Sequence, residues 1–242
     1  MDNPDTVVIV PTYNEADNID ELITQLLALP VKLGVIVVDD NSPDGTGQKA
    51  EQWSQRETGR IHVVHRPGKL GLGTAYISGF RLALDKLDAR RIMTMDADFS
   101  HNPRYIPAMI ELSEQNDVVI GSRFCEQKEG FKSTFARRLG IRVFEAVASL
   151  LIRQRITDST SGFRAYNRRA IDFLSTRYPQ DYPEPEAVIL LGKNGFTIKE
   201  VFVTMSERRG GLSSISGLSS LYYMVKVLLA IFMVALRTRE PS

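Results

Sequence analysis

Two aspartates one residue apart, Asp96 and Asp98, follow the short apolar run Ile92-Met93-Thr94-Met95. Carboxylates at that spacing can share a hard cation such as Mg²⁺ or Mn²⁺ and still leave coordination positions for diphosphate oxygens and water. A cation held there would offset negative charge growing on a departing diphosphate. If the chain stays extended past the run, both side chains point the same way; a turn places them differently. Asp-x-Asp alone is a weak signal, but this one has company. Pro11-Thr12-Tyr13-Asn14-Glu15 follows Val7-Val8-Ile9-Val10, and Asp39-Asp40-Asn41-Ser42-Pro43-Asp44 follows Val35-Ile36-Val37-Val38. Any one of these clusters could be a helix cap or an Asx turn. Three of them, each at the end of an apolar run, exceed what turns require.

Basic residues supply the complementary half. His65-Arg66-Pro67-Gly68-Lys69-Leu70-Gly71-Leu72-Gly73 is a glycine-rich basic loop entering a helical stretch, suited to a phosphate or sugar. It lacks the Gly-Lys-Ser/Thr ending of a P-loop and does not fit the dinucleotide fingerprint. Gly121-Ser122-Arg123, Arg137-Arg138 and Glu207-Arg208-Arg209 add arginines, whose planar fork suits phosphate. His65 and His101 are too isolated for a zinc site, and no Gly-x-Ser-x-Gly elbow or Cys/His pairing supports a covalent hydrolase. Trp53 and the scattered Tyr and Phe read as core. With a formal net charge of +1 and no basic–aromatic stripe, nucleic-acid binding is not expected. Should an acceptor hydroxyl need a proton taken from it, Glu186 is the first candidate base and Glu184 the second.

The elements that must position these residues can be read from the period of the apolar positions. Apolar runs at 7–10, 35–38, 61–64, 92–95, 117–120 and 198–203 predict strands, with helical spacing over 15–29, 46–58 and 73–87. Alternation of this kind implies a mostly parallel sheet covered by helices on both faces. In such sheets ligands bind beyond the carboxyl ends of the strands, where the polar clusters fall. The domain extends over residues 1–215, and 216–242 form an apolar helix and tail. Leu218 to Leu236 is almost entirely apolar but carries Lys226 near its middle. At roughly 20 residues it is borderline for a span, and packing on the domain, lying in the interface or docking on a small membrane protein are the other readings. A single cysteine, Cys125, and an N-terminus without a secretory pattern suit a domain facing the cytoplasm, peripheral to or anchored at the membrane.

Taken in order, Pro11-Thr12-Tyr13-Asn14-Glu15, Asp39-Asp40-x-Ser42-x-Asp44-x-Thr46, Lys69-Leu70-Gly71-Leu72-Gly73, Met95-Asp96-Ala97-Asp98-x-Ser100-His101-x-Pro103, Gly121-Ser122-Arg123 and Thr160-Ser161-Gly162-Phe163-Arg164 resemble the family-2 glycosyltransferases. The likeness is to their dolichol-phosphate mannosyltransferase and polyprenyl-phosphate branch, over about residues 6–215. The resemblance implies a GT-A fold, an inverting transfer from a nucleotide-sugar to a polyprenyl phosphate, and a requirement for Mg²⁺ or Mn²⁺. By the same resemblance Pro11, Tyr13, Glu15, Val38 and Asp40 would hold the nucleoside, with Lys69 beside them. Asp96, Ala97 and Asp98 would bind the metal–diphosphate group, Asp98 at the reacting centre, with Ser100 as a third metal contact. Arg123 and Arg137 would face the acceptor phosphate, and Arg208 the donor phosphates. Two departures leave the sugar open: Ser100 stands where the mannosyltransferases often have Gln, and Gly211-Leu212-Ser213-Ser214-Ile215 replaces their Gly-Glu-Ser-Lys-Leu. Tyr182-Pro183-Glu184-Pro185-Glu186 resembles bacterial cell-envelope glycosyltransferases instead, so transfer to a saccharide hydroxyl is the second reading. A non-catalytic nucleotide-sugar-binding subunit is the third, disfavoured by the retention of both aspartates.

Overall fold

The computed structural model describes residues 4–126, 145–180 and 182–206. Seven strands form one sheet: β1 (Thr6–Thr12), β2 (Leu33–Asp39), β3 (Ile61–His65), β4 (Arg91–Thr94), β5 (Val118–Ser122), β6 (Arg164–Asn167) and β7 (Ile198–Phe202). Their order across the sheet is β3-β2-β1-β4-β6-β5-β7. All run parallel except β6, which is antiparallel to both β4 and β5. The sheet is mostly parallel, as expected, and β6 makes it mixed. β6 escapes a reading by periodicity because Arg-Ala-Tyr-Asn is four residues long and opens on a charge.

The central strands are apolar on both faces, and the two-residue period of a strand sends alternate side chains to opposite cores. Val7, Ile9, Ile36 and Val38 face one core with α3 (Leu72–Asp85). A helical stretch at 145–152 (α5), α6 (Arg168–Arg177) and α7 (Pro183–Lys193) complete that side. Val8, Val10, Val35 and Val37 face the other with α1 (Ile19–Leu27), α2 (Thr46–Arg56) and α4 (Ile106–Leu112). Helices on both faces are thus as expected. Gly79 lets α3 sit close on β1, since a Cβ there would come 2.7 Å from Ile9 Cγ2. α1 is shorter than the apolar spacing over 15–29 suggests, because its entry is a turn: Glu15 O accepts from Asn18 N and Ile19 N, both at 3.0 Å. Residues 216–242, together with Arg137, Arg208 and the Gly211–Ile215 departure, lie outside the described residues. Among those described, no helix is long and apolar enough to cross a membrane.

Strand order fixes where a ligand can sit. From β1 the chain moves one way to β2 and β3, then returns to place β4 on the other side of β1. Loops leaving β1 and β4 diverge at that reversal and open a crevice. Pro11–Glu15 and Asp96–Asp98 are those loops.

Candidate active site

Each of the three acidic or amide-rich clusters turns sharply. Asn14, Asn41 and Phe99, one in the loop after each of β1, β2 and β4, have φ of 60°, 59° and 60°. Asparagine tolerates the left-handed region; for a bulky Phe it costs about 1 kcal/mol. Backbone held this way on a ligand-facing edge is a mark of side chains aimed for use.

The clusters divide their labour. Asp39 accepts from Thr12 Oγ1, Ser42 N and Ser42 Oγ. Ser42 Oγ in turn takes Asn14 N at 3.1 Å, Thr46 Oγ1 takes Glu15 N at 2.9 Å, and Asp44 takes Ala16 N at 2.9 Å. Burial works upward on Asp44, but the bonds from Thr46 and Ala16 outweigh it and hold its carboxyl below the ordinary range. Asp39, Ser42, Asp44 and Thr46 are therefore scaffold that fixes the loop of Tyr13 and Glu15. Glu15 reinforces it, accepting from Asn18 Nδ2 at 2.7 Å.

Asp40 is different. Its carboxylate meets the buried guanidinium of Arg66 at 3.0 Å, an ion pair off the hydrogen-bonding axis, so Oδ1 has no aligned donor. Burial pushes its pKa up, with Arg66 and Lys69 pulling it back. Arg66 also donates to Gly71 O and Thr74 Oγ1, clamping the glycine-rich loop to the site. Gly71 takes φ 95° at the start of α3, which only glycine does without strain. The clamped loop carries Lys69, whose Nζ stands 4.8 Å from the centre of the half-exposed Tyr13 ring. Pro11, Tyr13, Glu15, Asp40 and Lys69 thus gather at one end of the crevice. Val38 is wholly buried in the core beneath the end of β2.

At the other end Asp96 and Asp98 do not share an environment. Asp96 has a third of its side chain exposed. Asp98 is 5% exposed, its Oδ1 taking Ser100 N at 3.0 Å across the turn at Phe99. Ser100 enters here through its main chain: its N–H goes to Asp98 and its carbonyl to Ser206 N. Beneath them lies His101, missed as a functional residue because only zinc ligation was weighed for it. Its Nδ1 accepts the Asp96 N–H at 2.9 Å and its ring stacks on Phe163, centroids 5.1 Å apart. Burial lowers its pKa against the pull of Asp96 and Asp98, and the bond from the Asp96 N–H locks the start of the Asp-x-Asp turn. Two carboxylates of hard oxygen, one open to solvent, fit a divalent cation completed by diphosphate and water. Among the described residues, no group of three or more His, Cys, Asp or Glu is gathered.

Because β6 runs backward, its first residues rather than its last reach this edge. Thr94 Oγ1 donates to Gly162 O, and a Cβ on Gly162 would lie 3.9 Å from Asp96 Oδ1 and 3.7 Å from Tyr76 Oη. Arg164 is 1% exposed and spends Nε and Nη2 on the carbonyls of Ser161 and Ser159, while Nη1 has no partner. Tyr76 Oη and Tyr166 Oη are also unpartnered. Half-buried Glu184 joins this group: burial raises its pKa, Arg164 opposes, and Asp96 adds to the rise. Glu186 is 9% exposed and accepts Tyr182 N at the start of its own helix, whereas Glu184 is the acid on which Asp96 acts electrostatically. Arg123, after β5, is fastened to Asp158 through Nε and Nη2, each at 2.7 Å.

Comparison with known proteins places the chain in a family. A family model described as "Glycosyl transferase family 2" matches residues 7–174. A polyprenol monophosphomannose synthase of Mycolicibacterium smegmatis is 32% identical over 226 residues, covering 92% of this chain and 85% of the relative. An undecaprenyl-phosphate mannosyltransferase of Micrococcus luteus is 34% identical over 215 residues, covering 87% of each. Among solved structures, glucosyl-3-phosphoglycerate synthase from Mycobacterium tuberculosis with Mn²⁺, UDP and glucosyl-3-phosphoglycerate superposes with a TM-score of 0.66 at 17% identity, over 96% of this chain and 80% of that one. The mannosyltransferase PcManGT from Pyrobaculum calidifontis with GDP-Man and Mn²⁺ gives 0.62 at 19% identity, over 99% and 66%. At those identities the structures bear on the fold, which is α/β and GT-A, and the sequence relatives carry the lineage: the chain belongs to glycosyltransferase family 2.

Proposed function

We propose that this glycosyltransferase moves mannose from a nucleotide-sugar to a polyprenyl phosphate at a membrane surface, with inversion at the anomeric carbon. The reading is carried by likeness at 32% and 34% identity, over 92% and 87% of the chain, to relatives named for that sugar and that class of lipid. Tyr13, Asp40 and Lys69 hold the nucleoside end of the donor, with Pro11, Glu15 and Val38 shaping its seat. Asp96 and Asp98 would hold Mg²⁺ or Mn²⁺, with Ser100 or a water as a further contact and Ala97 beside the diphosphate. A divalent cation there supplies Lewis-acid stabilisation of the leaving diphosphate. The acceptor oxygen of a phosphate monoester is already anionic near neutral pH, so no side chain needs to remove a proton. Arg123 and Arg137 then act by orienting the acceptor phosphate, and Arg208 by meeting the donor phosphates. Residues 216–236 meet the membrane surface or a small membrane protein.

Incubation with polyprenyl phosphate, Mg²⁺ or Mn²⁺, and a panel of GDP-, UDP- and dTDP-sugars should yield lipid-linked mannose. Failure to label the lipid from any donor would end the reading. One observation favours a second acceptor: Glu184 is a half-buried carboxyl whose pKa is raised by burial and by the charge of Asp96, the environment of a base for a hydroxyl. That reading requires turnover on a soluble saccharide, removed by Glu184→Gln; no turnover on any saccharide sinks it.

A further inference from the structure

β7 lies at the edge of the sheet, paired in parallel with β5. What it contributes is Glu200. Both carboxylate oxygens accept from Thr157 N at 2.9 Å, Oε2 also takes Thr157 Oγ1 at 2.9 Å, and Oε1 takes Asp158 N at 2.7 Å. One half-buried acid from the edge strand β7 thus fixes two successive residues of the loop that leads to β6. Thr157 Oγ1 is tied at the same time to Ser122 Oγ, 3.0 Å away on β5.

The second of those residues, Asp158, is 1% exposed at its side chain and is bonded mainly to Arg123, with Thr160 Oγ1 donating to it as well at 3.2 Å. It accepts Arg123 N at 3.1 Å, Nε at 2.7 Å and Nη2 at 2.7 Å. Nη2 gives its other proton to Thr160 Oγ1 at 3.0 Å. One whole edge of the guanidinium is consumed. Nη1 donates to none of the described residues, and the side chain is 27% exposed. Asp158 cancels much of the guanidinium charge, so what remains is direction: two N–H vectors held at a fixed angle. A long arginine so held has lost its rotamer freedom on folding and does not lose it again on binding.

We propose that Glu200 is a positioning residue for the acceptor: through the Thr157–Asp158 main chain it sets Arg123 so that the Nη1 edge meets the polyprenyl phosphate. This rests on the reading of Arg123 as the residue that faces that phosphate. A bond network that only fastened a loop to β7 would change stability. One that acts through Arg123 changes the affinity for a single substrate, and only while Arg123 is present.

The test is a cycle on the full chain with GDP-mannose and a polyprenyl phosphate, comparing wild type, Glu200→Gln, Arg123→Ala and the double variant. Glu200→Gln should raise the KM for polyprenyl phosphate about tenfold, with kcat and the donor KM within about twofold. In the Arg123→Ala background the same change should have less than about a twofold effect, as coupled residues require. An equal factor in both backgrounds, or a loss confined to kcat or to the donor, overturns the proposal. If Arg123→Ala alone leaves the acceptor KM unchanged, the reading of Arg123 fails and the proposal falls with its premise. Should Glu200→Gln not fold, Asp158→Asn takes its place in the cycle, with the same pattern expected and the same results counting against it.

Discussion

The sheet has two acidic rims, and they treat their carboxylates in opposite ways. At the rim where β5 begins, Asp117 accepts from Asn167 Nδ2, Arg169 Nη1, Thr197 N and Thr197 Oγ1. Burial works upward on it, but these bonds prevail and its pKa is lowered. At the opposite rim Asp40 has one oxygen without an aligned donor and a raised pKa, Asp96 is a third exposed, and three backbone turns sit at positive φ. Both rims contain buried or half-buried acids at strand ends, so acidity alone does not mark a site. An acid whose lone pairs are all answered by protein serves the fold; one left with open positions is waiting for something else to answer them.

The sharpest way to break that contrast is at Asp96. Asp96→Asn should lower kcat/KM by roughly 10²–10³ while leaving the melting temperature within a degree or two, since little of the protein depends on its charge. Steady-state turnover beside a thermal melt reads both; a large fall in melting temperature would erase the distinction. Arg66 stands across the divide, so Arg66→Met should harm both properties. It strands the buried Asp40 carboxylate, at a cost of about 3 kcal/mol in urea unfolding, and frees the Lys69 loop, weakening nucleotide-sugar binding. Loss of one without the other would contradict its double role. At the far rim Asp117→Ala should cost about 2 kcal/mol of stability with kcat/KM retained. A selective loss of activity there would blur the rims.

The smallest effect is one of pH. His101 has a folded-state pKa below its ordinary 6.5, so the unfolded chain binds the proton more readily. Its contribution is complete above pH 6.5 and is lost as pH falls through the lowered folded value. Unfolding free energy should therefore decline from pH 6.5 downward, with a shallower slope in His101→Gln. Equal slopes would mean that His101 does not carry this term.

Much of this was legible in the residues. Apolar runs placed six strands, and polar clusters at their ends placed the crevice, because burial and strand period are local properties. What escaped depended on contacts across the sheet. Asp40 and Asp39 are neighbours in sequence, but one pairs with Arg66 from beyond β3 and the other braces the loop after β1. Nothing in Asp-Asp says which is which. Glu186 and Glu184 lie on one helical turn, yet Glu186 bonds to the main chain at the start of its own helix while Glu184 feels the charges of Arg164 and Asp96. His101 stood within a quoted motif, yet its task is to accept a main-chain N–H, and no residue-type pattern advertises that. The direction of β6 was the largest gap, since four residues cannot announce which way they run.

That reversed strand has a consequence in time as well as in space. Its first residue, Arg164, lies behind the crevice and its last, Asn167, bonds to Asp117 at the far rim. With β4 and β5 paired on its two sides, its amides meet water only when the middle of the sheet comes apart. Deuterium uptake along β6 would therefore run on the slow clock of global opening, not on the fast clock of a substrate loop. The floor behind Asp96 keeps its shape until the molecule as a whole gives way. Any breathing that admits a donor has to come from the loops that face it.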